Sequence, residues 1–129
     1  MKEIVFSPDA VPPLTTFSQA IKSKGFIYVS GNIGCTQDFT IVEGGVGAQT
    51  VVALESIRNI LQAAGSGLHH VVKANIYLTD LERDFSQMNS AYMTFFNERA
   101  MPARTCVGVA RLPLGASVEI ECVAELPDA

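Results

Sequence analysis

Four side chains able to do chemistry fall in two short runs near the end of the chain. Arg104 and Cys106 lie in Pro102–Ala110, and Glu119 and Glu121 lie in Ser117–Ala124. A guanidinium can hold an anion, a thiol can line a pocket or attack a carbon, and a carboxylate can carry protons. The same residue types also suit a cross-strand ion pair on a solvated face, worth a few tenths of a kcal/mol to about one. Pattern alone leaves both readings open.

The elements that must position these groups are β-strands, because β-branched residues recur at every second position and turn-formers bound each run. The connection Arg111–Ala116 is short and holds one Pro and one Gly. The two strands are therefore expected to be antiparallel neighbours joined by a loop longer than a tight hairpin turn. Period-two alternation puts Thr105, Val107 and Val109 on one face of the first strand, with Val118, Ile120 and Cys122 together on the second. If both apolar sets are buried on one side, Arg104, Cys106, Glu119 and Glu121 share the other.

At 129 residues the chain is read as a single domain, 1–129. Apolar residues form 48% and charged residues 17%, which is globular rather than disordered composition. A net charge of −4 argues against nonspecific nucleic-acid binding, which draws on a basic surface. No apolar run approaches the roughly 18–20 residues that span a bilayer. The start, Met1–Phe6, has neither a secretory core nor an Arg-rich transit pattern, so the expected location is cytoplasmic. Three cysteines, Cys35, Cys106 and Cys122, lack metal-ligand spacing and point to free thiols; no metal site is expected. Gly44-Gly45-Val46-Gly47 lacks the Walker Lys and the dinucleotide spacing, and reads as a loop opening a helix.

In chain order, Ile4–Phe6 is a short strand, and Thr16–Lys22 and Phe26–Ser30 are strands around a Ser23-Lys24-Gly25 hairpin. Cys35–Glu43 is a loop. From Val46 the period changes: Thr50, Ala53, Leu54, Ile57, Ile60, Leu61 and Ala64 form one buried helical stripe, ended by Gly65 and Gly67. Val71–Leu78 is a strand with Val72, Ala74, Ile76 and Leu78 on one face. Asp84 and Gln87 resemble a capping box opening a second helix whose stripe is Met88, Ala91, Tyr92, Phe95 and Phe96. His69-His70 would begin a strand and point to opposite faces, which disfavours a shared base role. The order β-β-β-α-β-α-β-β gives an α+β fold, a mixed sheet with two helices on one face. Its second face is partly apolar, so an oligomer that covers it is expected.

Phe17-Ser18-Gln19-Ala20, Tyr28-Val29-Ser30-Gly31, Asn89-Ser90-Ala91-Tyr92, Pro102-Ala103-Arg104-Thr105-Cys106-Val107 and Val118-Glu119-Ile120-Glu121 follow one another at spacings that closely resemble the RidA/YjgF/UK114 family of reactive-intermediate deaminases. The resemblance covers essentially the whole chain. It implies a chorismate-mutase-like (YjgF/L-PSP) single domain assembled as a homotrimer with clefts between subunits. It also implies hydrolysis of 2-enamines and 2-imines, such as 2-aminoacrylate, to 2-keto acids and ammonia without a cofactor. The implied partners are further copies of the chain and small 2-imino or 2-keto acids, with no nucleic acid and no membrane. A mitochondrial location is also open by family.

Carried over residue by residue, Arg104 matches the arginine that grips the substrate carboxylate, and Glu119 the carboxylate beside the attacking water. Cys106 matches a pocket cysteine, Ser30 and Gly31 the pocket segment of an adjacent subunit, and Asn89 a polar position on the second helix. Glu121 is the alternative to Glu119. Phe17 stands where well-characterised members have tyrosine, so a pocket hydroxyl is missing and Phe17 is read as a lining residue only. Asn32 stands where glutamine is common. Two other functions compete: RNA cleavage with inhibition of translation, and a non-catalytic small-carboxylate-binding or chaperone-like trimer.

Overall fold

A computed structural model describes residues 1–127. The strands are β1 (Glu3–Val5), β2 (Ala20–Ser23), β3 (Phe26–Ile33), β4 (Val71–Leu78), β5 (Ala103–Gly108) and β6 (Val118–Glu125); the helices are α1 (Gly45–Ala63) and α2 (Leu81–Met93). All six strands form one mixed sheet in the order β1-β2-β3-β6-β4-β5. Among the described residues only β4 and β5 run parallel, and α2 is the crossover that such a pair requires.

The helical stripe predicted for α1 is the core. Thr50, Ala53, Leu54, Ile57, Ile60, Leu61 and Ala64 are all buried, against Ile27 and Val29 of β3 and Ile120 and Cys122 of β6. Gly44 precedes the helix at φ 112° and Gly65 follows it at φ 85°, both in the left-handed region that glycine adopts without a Cβ penalty. The second helix packs on α1 and β4 through Met88 and Tyr92. It starts earlier than the sequence suggests: Asp80 is the N-cap, accepting from the Arg83 amide at 3.1 Å. Asp84 lies inside the helix with its carboxylate on Arg83, so it opens no capping box.

Smaller departures have local causes. The β2 strand begins at Ala20, because Gln19 is buried and holds the N-terminal loop instead: its amide accepts from the Ser7 amide at 2.7 Å and donates to the Ser7 and Val11 carbonyls. A bulge at the start of β4 buries Val71 and exposes Val72, while Ala74, Ile76 and Leu78 keep the predicted face. His69 and His70 belong to a 3-10 turn before β4 and stack with ring centroids 4.1 Å apart.

The principal correction concerns the two chemistry-bearing strands. They are not neighbours: β6 enters antiparallel between β3 and β4, and β5 takes the sheet edge beyond β4. The connecting loop passes over the end of β4, where the Val109 amide bonds the Leu78 carbonyl at 2.8 Å and the Thr79 amide bonds the Ser117 carbonyl at 3.2 Å. The predicted phase of β5 is also reversed. Arg104 and Cys106 align with Ala74 and Ile76 on the helix-covered face, while Thr105 and Val107 align with Asn75 and Tyr77 on the opposite one. An edge strand buries little of either face, so its β-branched residues do not mark the core.

Candidate functional site

Arg104 is held by one face of α2. Phe85, Asn89 and Tyr92 are spaced four and three residues apart, which stacks them along a single helical stripe. The guanidinium donates from Nη1 to Asn89 Oδ1 at 2.6 Å. Its Cζ lies 5.0 Å from the Tyr92 ring centroid and 5.8 Å from that of Phe85. These partners are neutral, and among the described residues no carboxylate forms an ion pair with Arg104. A cation braced by rings and an amide, with its charge uncompensated, is chemically able to receive an anion.

Cys106 lies on the same face two residues on. Burial pushes its thiol pKa up, with Arg104 acting in the opposite sense, so it is a neutral thiol rather than a thiolate, packed against the core. The Tyr92 hydroxyl is fully buried without a hydrogen-bond partner, and burial pushes its pKa up to about 12.

A second constellation lies around a cavity of about 570 Å³ between the N-terminal loop, the end of β3 and the start of β6. Phe17, Ser30, Gly31 and Glu119 line it. The Ser30 hydroxyl donates to the Ser18 carbonyl at 2.6 Å, and Asn32 links the Ser30 carbonyl to the Ser56 hydroxyl, fixing the strand end beneath the cavity. Gly31 leaves room for the Glu119 carboxylate: a Cβ there would sit 2.8 Å from the Glu119 carboxyl carbon and push that side chain aside. Burial is the main cause that raises the Glu119 pKa, with Glu121 adding to it.

The structure separates the two acidic candidates. Glu121 accepts from Asn75 Nδ2 at 3.3 Å and from the Tyr77 hydroxyl. Glu119 accepts no side-chain hydrogen bond among the described residues and faces the cavity. The expected grouping of Arg104 and Cys106 with Glu119 does not occur within one chain: the first two sit beneath α2, whereas Glu119 aligns with Tyr77 on the other face of the sheet. The seven site residues thus divide into Arg104, Cys106 and Asn89 on one side and Phe17, Ser30, Gly31 and Glu119 on the other. Sequence reasoning missed Phe85 as a second ring on Arg104, although its spacing from Asn89 was available. It also missed Phe39 and Leu114 at the cavity, where an apolar residue in a turn was the only signal.

The sequence profile of the family described as endoribonuclease L-PSP matches residues 7–126. The chain belongs to that family. A RutC family protein of Pyrococcus horikoshii is 42% identical to it over 125 residues, covering 96% of this chain and 98% of the relative. Among solved structures, RidA from an Antarctic Psychrobacter superposes on this L-PSP chain with a TM-score of 0.89 at 37% identity, covering 96% of this chain and 99% of that one. TdcF of Escherichia coli, solved with bound serine, gives 0.89 at 31% identity over 97% and 99% of the two chains. These likenesses bear out the α+β fold expected for a YjgF/L-PSP protein.

Proposed function

We propose that this L-PSP family protein hydrolyses 2-imino and 2-enamino acids to 2-keto acids and ammonia, in clefts between the subunits of a homotrimer. The observation that carries the reading is the uncompensated Arg104 guanidinium, held by Asn89, Tyr92 and Phe85 in an anion-receiving position. Two others support it. The carboxylate with a raised pKa and an open neighbourhood is Glu119, on the opposite sheet face, so one chain carries two half-sites that a second copy can complete. The uncovered face bears exposed Ile4, Tyr28 and Val107, apolar surface that an assembly would bury. The serine held by TdcF has the carboxylate and α-nitrogen that an imino acid shares.

The chemistry needs no covalent nucleophile, because the imine carbon is already electrophilic. Arg104 of one subunit binds the substrate carboxylate through its fork of donors. Glu119 of the next orients a water, takes a proton as the oxygen adds to the C=N carbon, and passes a proton to nitrogen. The carbinolamine collapses: its hydroxyl proton passes by way of Glu119 to the amino group, the C–N bond breaks, ammonia leaves, and the C–O bond becomes the keto group. An enamine enters after protonation of its terminal carbon. Cys106, Ser30, Gly31 and Phe17 shape the cleft, and Asn89 positions Arg104. A cytoplasmic location belongs to the same proposal; no helix among the described residues is long and apolar enough to cross a membrane.

The test is keto-acid release from 2-aminoacrylate generated in situ, with wild type compared to Arg104→Ala at equal oligomeric state. Acceleration lost in the variant supports deamination, and no acceleration by wild type contradicts it. RNA cleavage retained by Arg104→Ala would favour the ribonuclease reading.

A further inference from the structure

We propose that the cavity beside Glu119 is a side-chain pocket that selects 2-imino acids with large apolar substituents, branched aliphatic or aromatic, over the alanine-derived 2-iminopropanoate. This rests on the deaminase reading and names the substrate class within it. The cavity, about 570 Å³, lies within the range of roughly 300–1,000 Å³ common for small-molecule sites. A methyl substituent would leave nearly all of it unfilled.

The backbone points to the same place. Three non-glycine residues among those described have positive φ: Lys24, Phe39 and Leu114. Lys24 is explained by the hairpin turn it forms with Gly25, itself at φ 84°. Phe39 at φ 67° and Leu114 at φ 58° both line the cavity, at positions where turn chemistry favours Gly, Asn or Asp. Leu114 is also 58% exposed and Phe39 38% exposed. Two residues thus combine backbone strain with apolar exposure, and both do so at the rim of one pocket. Seating an apolar group there covers both.

The polar groups nearby offer a polar substituent little. The Gln19 amide is occupied by Ser7 and Val11, and the Ser30 hydrogen by the Ser18 carbonyl. Glu119 is the lining carboxylate left without a hydrogen bond among the described residues, and the deaminase reading reserves it for the attacking water; away from it, a hydroxyl or charge on the substituent would be desolvated against Leu14, Phe17, Phe39 and Leu114.

The experiment compares kcat/KM for imines generated in situ from leucine, phenylalanine and alanine, and measures binding of the stable keto acids 4-methyl-2-oxopentanoate and pyruvate by calorimetry. A methylene in an apolar pocket is worth about ten- to two-hundredfold, so the leucine- and phenylalanine-derived imines should exceed the alanine-derived one by at least about tenfold. The double variant Phe39→Asn, Leu114→Asn should bring that ratio toward one; Asn accepts the left-handed backbone at both positions, so the turns are kept. If the alanine-derived imine is turned over as well or better, the pocket proposal falls while deamination stands. If no imine is accelerated, deamination falls, and the binding comparison still decides the pocket: equal affinity for the two keto acids overturns it.

Discussion

Arg104 and Glu119 lie on opposite faces of one sheet. Arg104 is aligned with Ala74 beneath α2, and Glu119 with Tyr77 on the face that no helix covers. A water held by one cannot attack a substrate held by the other in the same chain, so a cleft that uses both must draw on two copies.

The bracing of Arg104 gives a first prediction. Asn89→Asp places a carboxylate where the amide oxygen now accepts at 2.6 Å. It should pair with the guanidinium and compete with substrate, raising KM at least about tenfold, since hydrogen bonds to charged groups are worth about 1.5–3 kcal/mol. Thermal unfolding should show no loss of stability. An unchanged KM would remove Arg104 as the carboxylate anchor.

Tyr92 separates ring from hydroxyl. Tyr92→Phe keeps the ring 5.0 Å from the Arg104 Cζ and removes a buried, unpartnered hydroxyl. Stability measured by urea unfolding should rise by about 1 kcal/mol, because leaving a buried polar group unpaired costs about 1–3 kcal/mol. A drop of that size would mean the hydroxyl is bonded in solution.

Gly31→Ala tests the seat of Glu119. The new Cβ would meet the Glu119 carboxyl at 2.8 Å and displace it, while the backbone at Gly31 is not in the left-handed region. Misplacement of a reacting group by about 1 Å can cost roughly a hundredfold, so kcat should fall on that scale with the fold intact by circular dichroism. Retention of full kcat would mean Glu119 does not act from this position.

The raised pKa of Glu119 ties stability to pH. A carboxyl whose folded pKa lies above its unfolded value binds more protons when folded, so stability falls as pH rises from the ordinary 4.5 through the folded value. Above that window the charge is a standing cost. Glu119→Gln should therefore lose less stability than wild type between pH 4 and pH 8. Parallel unfolding curves for the two proteins would show that the carboxyl is not desolvated.

Much of this was legible in the sequence where one face of an element is fully buried. The stripe Ala53, Leu54, Ile57, Ile60 and Leu61 located α1, and Ala74, Ile76 and Leu78 phased β4. The hairpin at Lys24-Gly25 was legible from turn chemistry. Thr105 and Val107 misled because β5 is an edge strand whose β-branched side chains are exposed. Alternation fixes a phase only where burial enforces it. The intervention of β4 between β5 and β6 was hidden because chain proximity favours pairing of consecutive strands, and here the parallel crossover through α2 overrides it. Motif spacing named residues that fall into two separate clusters, but it carried no information on which could meet.

Mixing the two variants Arg104→Ala and Glu119→Gln asks whether Arg104 and Glu119 meet across a subunit boundary. Each would be purified, unfolded together at equal concentration, refolded, and assayed for keto-acid release from 2-aminoacrylate. If a cleft takes Arg104 from one chain and Glu119 from its neighbour, random assembly of a cyclic oligomer rebuilds about one site in four, and activity should return to roughly a quarter of wild type. Mixed oligomers that form but stay as inactive as the separate variants would contradict a site shared between subunits.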